Sequence, residues 1–297
     1  MTAPDTSSLA AGVSANAVGQ ENVVRVQRPT DGSGKPIIFA SPHSGRNYPD
    51  DLCDMCVLPL AQLRRSEDAY VDLLIAQAPE FGACSVSALF PRVFVDVNRS
   101  EWELDPGMFA DRVPDHPDLR SQRATSGLGV IPRVGVEGRP LYRRRLRFAE
   151  ARARLARYYE PYHDALSSLI GDMRAQFGGV VVIDMHSMPE HSADGADFVL
   201  GDRFGTSCMP QLTDAAEAAI GTAGCVAVRN TPYAGGYTTR HYGRPETGVH
   251  VLQIEINRSL YLDETRVALS DSCSTFSSKL NSIIKALSDA SPELIGG

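Results

Sequence analysis

The sequence predicts an α/β protein, a single domain with a mixed, mostly parallel central sheet and helices on both faces. Three observations predict it. Short runs rich in Val and Ile alternate with longer helical patterns. No change of composition divides the 297 residues, a length that supports a sizeable core. Two of the apolar runs, PIIFAS (36–41) and VVVIDM (180–185), lead into a His-Ser pair, and ligands of open α/β sheets bind beyond the carboxyl ends of the strands.

Residues 1–24 are small and polar, with no Lys or Arg before Arg25. They lack the basic start and solid apolar stretch of a secretory signal. The reading is a disordered leader, a folded domain over 25–297 and a cytoplasmic protein. The first strand is 36–41. Cys53-Asp-Met-Cys56 opens a helical stretch that continues VLPLAQL; without a second CxxC, both thiols are expected to be buried rather than metal-binding or redox-active. A helix is expected over about 59–79, carrying Ser66-Glu67-Asp68-Ala69-Tyr70, then strands over 83–89 and 93–98.

The stretch 100–140 is rich in Pro, Gly, Asp and Arg without clear periodicity, as in a functional or disordered loop. A helix follows over 141–177. Its first part, LYRRRLRFAEARARLARYYEPYH (141–163), has an apolar stripe and arginines expected in solvent. Strands at 196–201, 225–230 and 250–257 alternate with helices at 208–223 and 263–289, the last led by Asp263-Glu264, acids that suit a helix N-terminus. The segment NTPYAGGYTTRHYGRP (230–245) reads as a lid or specificity loop, in which Gly235-Gly236 lets backbone approach a ligand.

Net charge −7 argues against nucleic acid as partner, and no apolar run is long enough to cross a bilayer. Two NRS triplets, at 98–100 and 257–259, match a glycosylation acceptor, a match that means little without a secretory signal. Nothing in the sequence reports the oligomeric state.

The strand ends bring His43-Ser44, Asn98-Arg99, Asp184 with His186-Ser187, and Glu255 toward one crevice. Two histidines and a carboxylate make a catalytic zinc set with a fourth position for water. His43 and His186 are the histidine candidates; Asp68, Glu67 and, ranked lower, His241 compete for the third place. Asp184, two residues before His186, can orient that imidazole from behind. Glu255, among apolar neighbours in LQIEIN, is a costly buried acid unless it has a task, and burial raises its pKa toward that of a general base. Arg99 offers a fork for a substrate carboxylate, with Asn98 beside it, and Arg92 can stabilise an oxyanion.

SPHSG followed by YP, EDAYVD, DVNRS, GLGVIPR, YYEPYH, DMHSMP, GGYTTRHYG and LQIEINRSLY occur in that order. Together these motifs, over about 36–262, resemble the N-formylglutamate amidohydrolase (N-formylglutamate deformylase) family, zinc hydrolases related in fold to the zinc carboxypeptidases and aspartoacylase. The resemblance implies hydrolysis of N-formyl-L-glutamate to formate and glutamate, a step of histidine degradation, with an anionic small-molecule substrate. It implies Zn²⁺, with another divalent transition metal able to occupy the same ligands. Carried onto this chain, His43 and His186 bind the metal with Asp68 favoured over Glu67, Glu255 is the base, Arg99 grips a carboxylate and Arg92 holds the oxyanion. Arg133 in GLGVIPR, Gly236 and His241 fall in motifs assigned to substrate binding, and His163 in YYEPYH receives no role. One departure stands out: zinc carboxypeptidases carry a glutamate three residues after the first histidine, where this chain has Arg46.

Overall fold

The computed structural model describes residues 23–30 and 32–295. Seven strands form one sheet: β1 (Val24–Gln27), β2 (Ile37–Ser41), β3 (Cys84–Ala88), β4 (Val180–Met188), β5 (Phe198–Gly201), β6 (Ala227–Arg229) and β7 (Val249–Asn257). Their order is β1-β3-β2-β4-β7-β5-β6. The four central strands β3, β2, β4 and β7 are parallel, while β1 and β5 join antiparallel to β3 and β7. A two-stranded ribbon, β8 (Leu262–Asp263) with β9 (Ala268–Leu269), lies apart.

The near-continuous apolar runs are explained by burial on both faces. Ile38, Ala40, Val180 and Val182 pack on one side of the sheet with the helical span 148–177; Ile37, Phe39, Val181 and Ile183 pack on the other with residues of the helices at 210–222 and 273–295. The period of two within each strand splits the core into these two layers.

The helices are α1 (Asp50–Met55), α2 (Leu60–Arg64), α3 (Val71–Leu74), α4 (Gln122–Thr125), α5 (Phe148–Arg154), α6 (Glu160–Phe177), α7 (Pro210–Thr222), α8 (Tyr237–Tyr242) and α9 (Cys273–Ile295). A π-helical turn, Leu155–Tyr159, joins α5 to α6.

Several expectations need correction. The helix over 59–79 is broken: Tyr70 adopts φ 64° and residues 65–70 form a turn between α2 and α3. The run 93–98 is not a strand. Val93, Phe94, Val95 and Val97 are all buried, but the chain turns there, and Asp96 donates its amide to Val130 O at 2.8 Å. Apolar content was present without a neighbouring strand to pair with. The helix after 141 starts only at Phe148, because 141–147 is tied to other loops by Arg143 N–Met55 O and Leu146 N–Met108 O bonds. Arg154, expected in solvent, is buried with its guanidinium 4.0 Å over the Phe94 ring and donating to Tyr142 Oη at 2.8 Å. The last helix begins ten residues late, after the β8–β9 ribbon.

Of the leader, 1–22 lies outside the described residues, while Val24 already pairs with Ala88 in β1. The cysteines are free thiols, and Cys56 is buried but Cys53 is exposed. Among the described residues no helix is long and apolar enough to cross a membrane.

Candidate metal centre and active site

Strands β2, β4 and β7 point the same way, so their carboxyl ends open into one cavity of about 430 Å³. His43 follows β2 by two residues, and Gly45 beyond it has no room for a side chain: a Cβ there would lie 2.2 Å from Phe90 O. His186 sits in β4, in register with Glu255 of β7. Asp68 comes from the broken-helix turn, and its amide donates to His43 O at 3.0 Å. That turn, which sequence periodicity concealed, aims the acid at the histidines.

His43, Asp68 and His186 are all buried and offer ligand atoms within 4.8 Å of one another. His186 Nδ1 is 2.9 Å from Asp68 Oδ2. His43 Nδ1 is 3.3 Å from the same oxygen and has no hydrogen-bond partner. The opposite nitrogens face other carboxylates: His43 Nε2 lies 2.7 Å from Asp96 Oδ1, and His186 Nε2 lies 3.0 Å from Asp184 Oδ2. Such partners favour protons on both Nε2 atoms and turn the Nδ1 lone pairs toward Asp68. Three acceptors facing one another with no donor between them require a cation or an added proton, and this N₂O set fits a divalent transition metal.

The electrostatics show the same pull toward positive charge, here met by an added proton. Burial opposes ionisation of Asp68, but the adjoining His186 and His43 imidazoles and the Arg92 charge hold its pKa well below the carboxylate range. Burial likewise opposes a charge on His186, yet Asp184 beside it keeps the imidazole pKa well above normal. Burial pushes the Glu255 carboxyl up to about 7, with the Asp68 charge adding to the rise. A carboxyl in that range accepts a proton from an activated water and returns it. Gln253 Nε2 donates to Glu255 Oε1 at 2.9 Å and fixes its position.

Other expected residues sort into three groups. Arg92 and Arg99 line the cavity. Arg92 donates to Asp96 at 3.0 Å with Asp68 at 3.7 Å; Arg99 donates to Asn98 O at 2.8 Å and to Leu128 O at 3.2 Å. Asn98 and Gly236 also line it, but as a bracket. Asn98 Nδ2 is 3.1 Å from His186 Nε2, and its Oδ1 accepts from Thr238 N at 2.8 Å. Gly236 must be glycine because a Cβ would lie 2.5 Å from the Asn98 amide.

Arg133, His241 and Glu67 lie outside the cavity lining. Arg133 turns to Asp105 while its neighbours Pro132 and Val134 face inward. His241 stacks on Tyr237 at 4.8 Å, and Glu67 accepts from Tyr48 Oη at 2.8 Å and pairs with Arg64.

Sequence reasoning missed Asp96, read as part of a strand, and Arg258. The Arg258 guanidinium is buried and donates from Nη2 to Asp68 Oδ1 at 3.0 Å and to Glu67 O at 2.7 Å. The signal was available: the second NRS triplet, read only as a glycosylation match, repeats the first, and both place an arginine at this cavity.

The family model for N-formylglutamate amidohydrolase matches residues 35–262. The chain belongs to the N-formylglutamate amidohydrolase family. It is 32% identical over 237 residues to N-formylglutamate deformylase of Pseudomonas aeruginosa, covering 77% of this chain and 83% of that one. Identity to N-formylglutamate deformylase of Pseudomonas putida is also 32%, over 238 residues, with the same coverage. The crystal structure of N-formylglutamate amidohydrolase from Ralstonia eutropha JMP134 superposes with a TM-score of 0.86 at 33% identity, covering 91% of this chain and 98% of that one. A gene product of Agrobacterium tumefaciens, 21% identical with a TM-score of 0.63, shares the fold; the match covers 90% of this chain and 94% of that one. All of the residues that converge on the cavity fall inside the span matched by the amidohydrolase family model.

Proposed function

We propose that this chain hydrolyses the formyl amide of N-formyl-L-glutamate, releasing formate and L-glutamate, as a metal-dependent cytoplasmic enzyme. The observation that carries the reading is the convergence of His43 Nδ1, His186 Nδ1 and Asp68 Oδ2 beside a buried Glu255 whose pKa is raised to about 7, in a chain of this family. Those three side chains would hold the metal, with Zn²⁺ the cation their nitrogen and oxygen donors suit best. Bound there, it supplies a polarised water and a positive charge for the carbonyl oxygen.

Glu255 takes a proton from the attacking water and delivers it to the leaving amine nitrogen. Arg92, on the wall beside Asp68, donates to the oxyanion as it develops. Arg99 grips the carboxylate next to the scissile amide; its Nη2 lies 3.8 Å from Asp96, which fixes it close to His43. Asp96 and Asp184 hold the two imidazoles in the tautomer that points Nδ1 inward. Free thiols suit the reducing cytoplasm.

Formate release from N-formyl-L-glutamate tests the reading, measured before chelation, after it, and with Zn²⁺ restored. Turnover that is lost on chelation and recovered with Zn²⁺ is expected, with N-acetyl-L-glutamate a much poorer substrate. Turnover that survives complete metal removal would refute the metal assignment, and none with bound metal would refute the substrate.

A further inference from the structure

The reading above leaves the second carboxylate of a glutamate derivative without a partner. Five arginines line the cavity, Arg65, Arg92, Arg99, Arg123 and Arg258. Arg65 pairs with Glu137, Arg92 with Asp96, and Arg258 with Asp68. Arg99 spends Nε and Nη1 on carbonyls. Among the described residues, Arg123 alone of the five has no hydrogen bond or ion pair on its guanidinium.

Its placement is specific. Arg123 lies on α4, whose start is capped by Ser121 Oγ accepting from Ala124 N at 3.0 Å. The turn after α4 folds back so that Leu128 N donates to Arg123 O at 2.8 Å, while Leu128 O accepts from Arg99 Nε at 3.2 Å. One loop therefore ties the two guanidiniums together, near enough that the Arg123 charge acts on Arg99. Two like charges facing one cavity repel unless an anion joins them. Leu128, 47% exposed, lines the same wall beside Pro132 and Val134, an apolar surface for methylene groups.

The geometry points to Arg123 as the residue that reads the distal, side-chain carboxylate of the substrate, making the cavity selective for N-formyl dicarboxylic amino acids. Arg99, nearer the histidines, takes the carboxylate adjacent to the amide. The substrate methylenes cross Leu128 and the far carboxylate meets the open fork of Arg123. This assignment rests on the proposed reaction, and it adds the origin of the chain-end selectivity.

The test compares kcat/KM of the zinc-loaded enzyme for N-formyl-L-glutamate and N-formyl-L-alanine, in the wild type, Arg123→Gln and Arg123→Lys. Losing a charged hydrogen-bonding partner is expected to lower the ratio between the two substrates by about 30-fold. The loss falls on KM for the glutamate derivative, and Lys restores part of it. A ratio unchanged in Arg123→Gln, or equal losses on both substrates, overturns the assignment. A wild type that hydrolyses neither substrate fails the proposed reaction instead, and calorimetry with glutarate then decides Arg123. Binding weakened about tenfold or more in Arg123→Gln sustains a dicarboxylate subsite; equal affinity, or no binding by the wild type, overturns it.

Discussion

Two histidines, His186 buried and His163 half-buried, reach the same short segment, Val97–Arg99, and are held in opposite states. His186 sits between Asp68 and Asp184 with Asn98 Nδ2 at 3.1 Å, and those carboxylates keep its pKa well above normal in spite of burial. His163, from α6, hydrogen-bonds only to dipoles: Val97 O at 3.0 Å from Nε2 and Tyr242 Oη at 2.7 Å from Nδ1. Burial pushes its pKa down to about 4. Burial alone therefore does not set the role of a histidine here; the charge of its partners does. One imidazole is prepared for a cation, and the other is a neutral bracket behind the segment that carries Asn98 and Arg99.

The comparison breaks most visibly at Glu255, the proposed base in register with His186. Glu255→Gln preserves shape and the hydrogen bond from Gln253 but cannot carry a proton. Formate release is expected to fall by about 10²–10⁴ with metal stoichiometry, read by elemental analysis, unchanged. Residual activity within tenfold of wild type would remove Glu255 from the proton path.

A smaller effect is expected one bond further out. Asp96→Asn replaces the carboxylate 2.7 Å from His43 Nε2 and should weaken metal affinity by about 10–100-fold. Competition with a chromogenic chelator reports it. The corresponding His163→Gln substitution, which touches none of the carboxylates around His43 and His186, should leave metal affinity within about twofold of wild type. Equal weakening in the two variants would erase the distinction between a cation site and a bracket.

How much of this contrast the sequence carried depends on where each residue sits. His43, His186 and Glu255 were legible because they lie on or directly after strands whose apolar runs are unmistakable, so the strand-end rule located them. Asp68 was legible only through the family motif. Its own segment looks helical, and the left-handed Tyr70 that turns it inward leaves no trace in the hydrophobic pattern. Asp96 was hidden by a run that has the composition of a strand and none of the pairing. Arg123 and Arg258 were hidden for another reason: arginine is common, and only tertiary contacts separate a buried or cavity-lining guanidinium from a solvated one. His163 and His241 share motifs of equal prominence, yet one supports Val97 and the other stacks against Tyr237 outside the cavity.

The smallest predicted effect tests the bracket by its titration. In the folded protein His163 stays neutral down to about pH 4, against the usual 6.5. The unfolded chain binds the proton first, so His163 contributes its full stability above about pH 6.5, and that contribution is lost as pH falls toward 4. The groups facing the ring besides Tyr242 are Tyr159, Tyr162, Tyr237 and His241, with Asp184 the carboxylate whose charge reaches it. Between pH 7.5 and pH 5 the loss amounts to about 2 kcal/mol. His163→Gln places a donor near the Nε2 position and does not titrate. Urea unfolding at both pH values should show the wild type losing more stability than the variant by roughly that amount, with the variant somewhat less stable at pH 7.5. Parallel losses in the two proteins would mean that His163 titrates alike folded and unfolded, and that its burial does not hold it neutral.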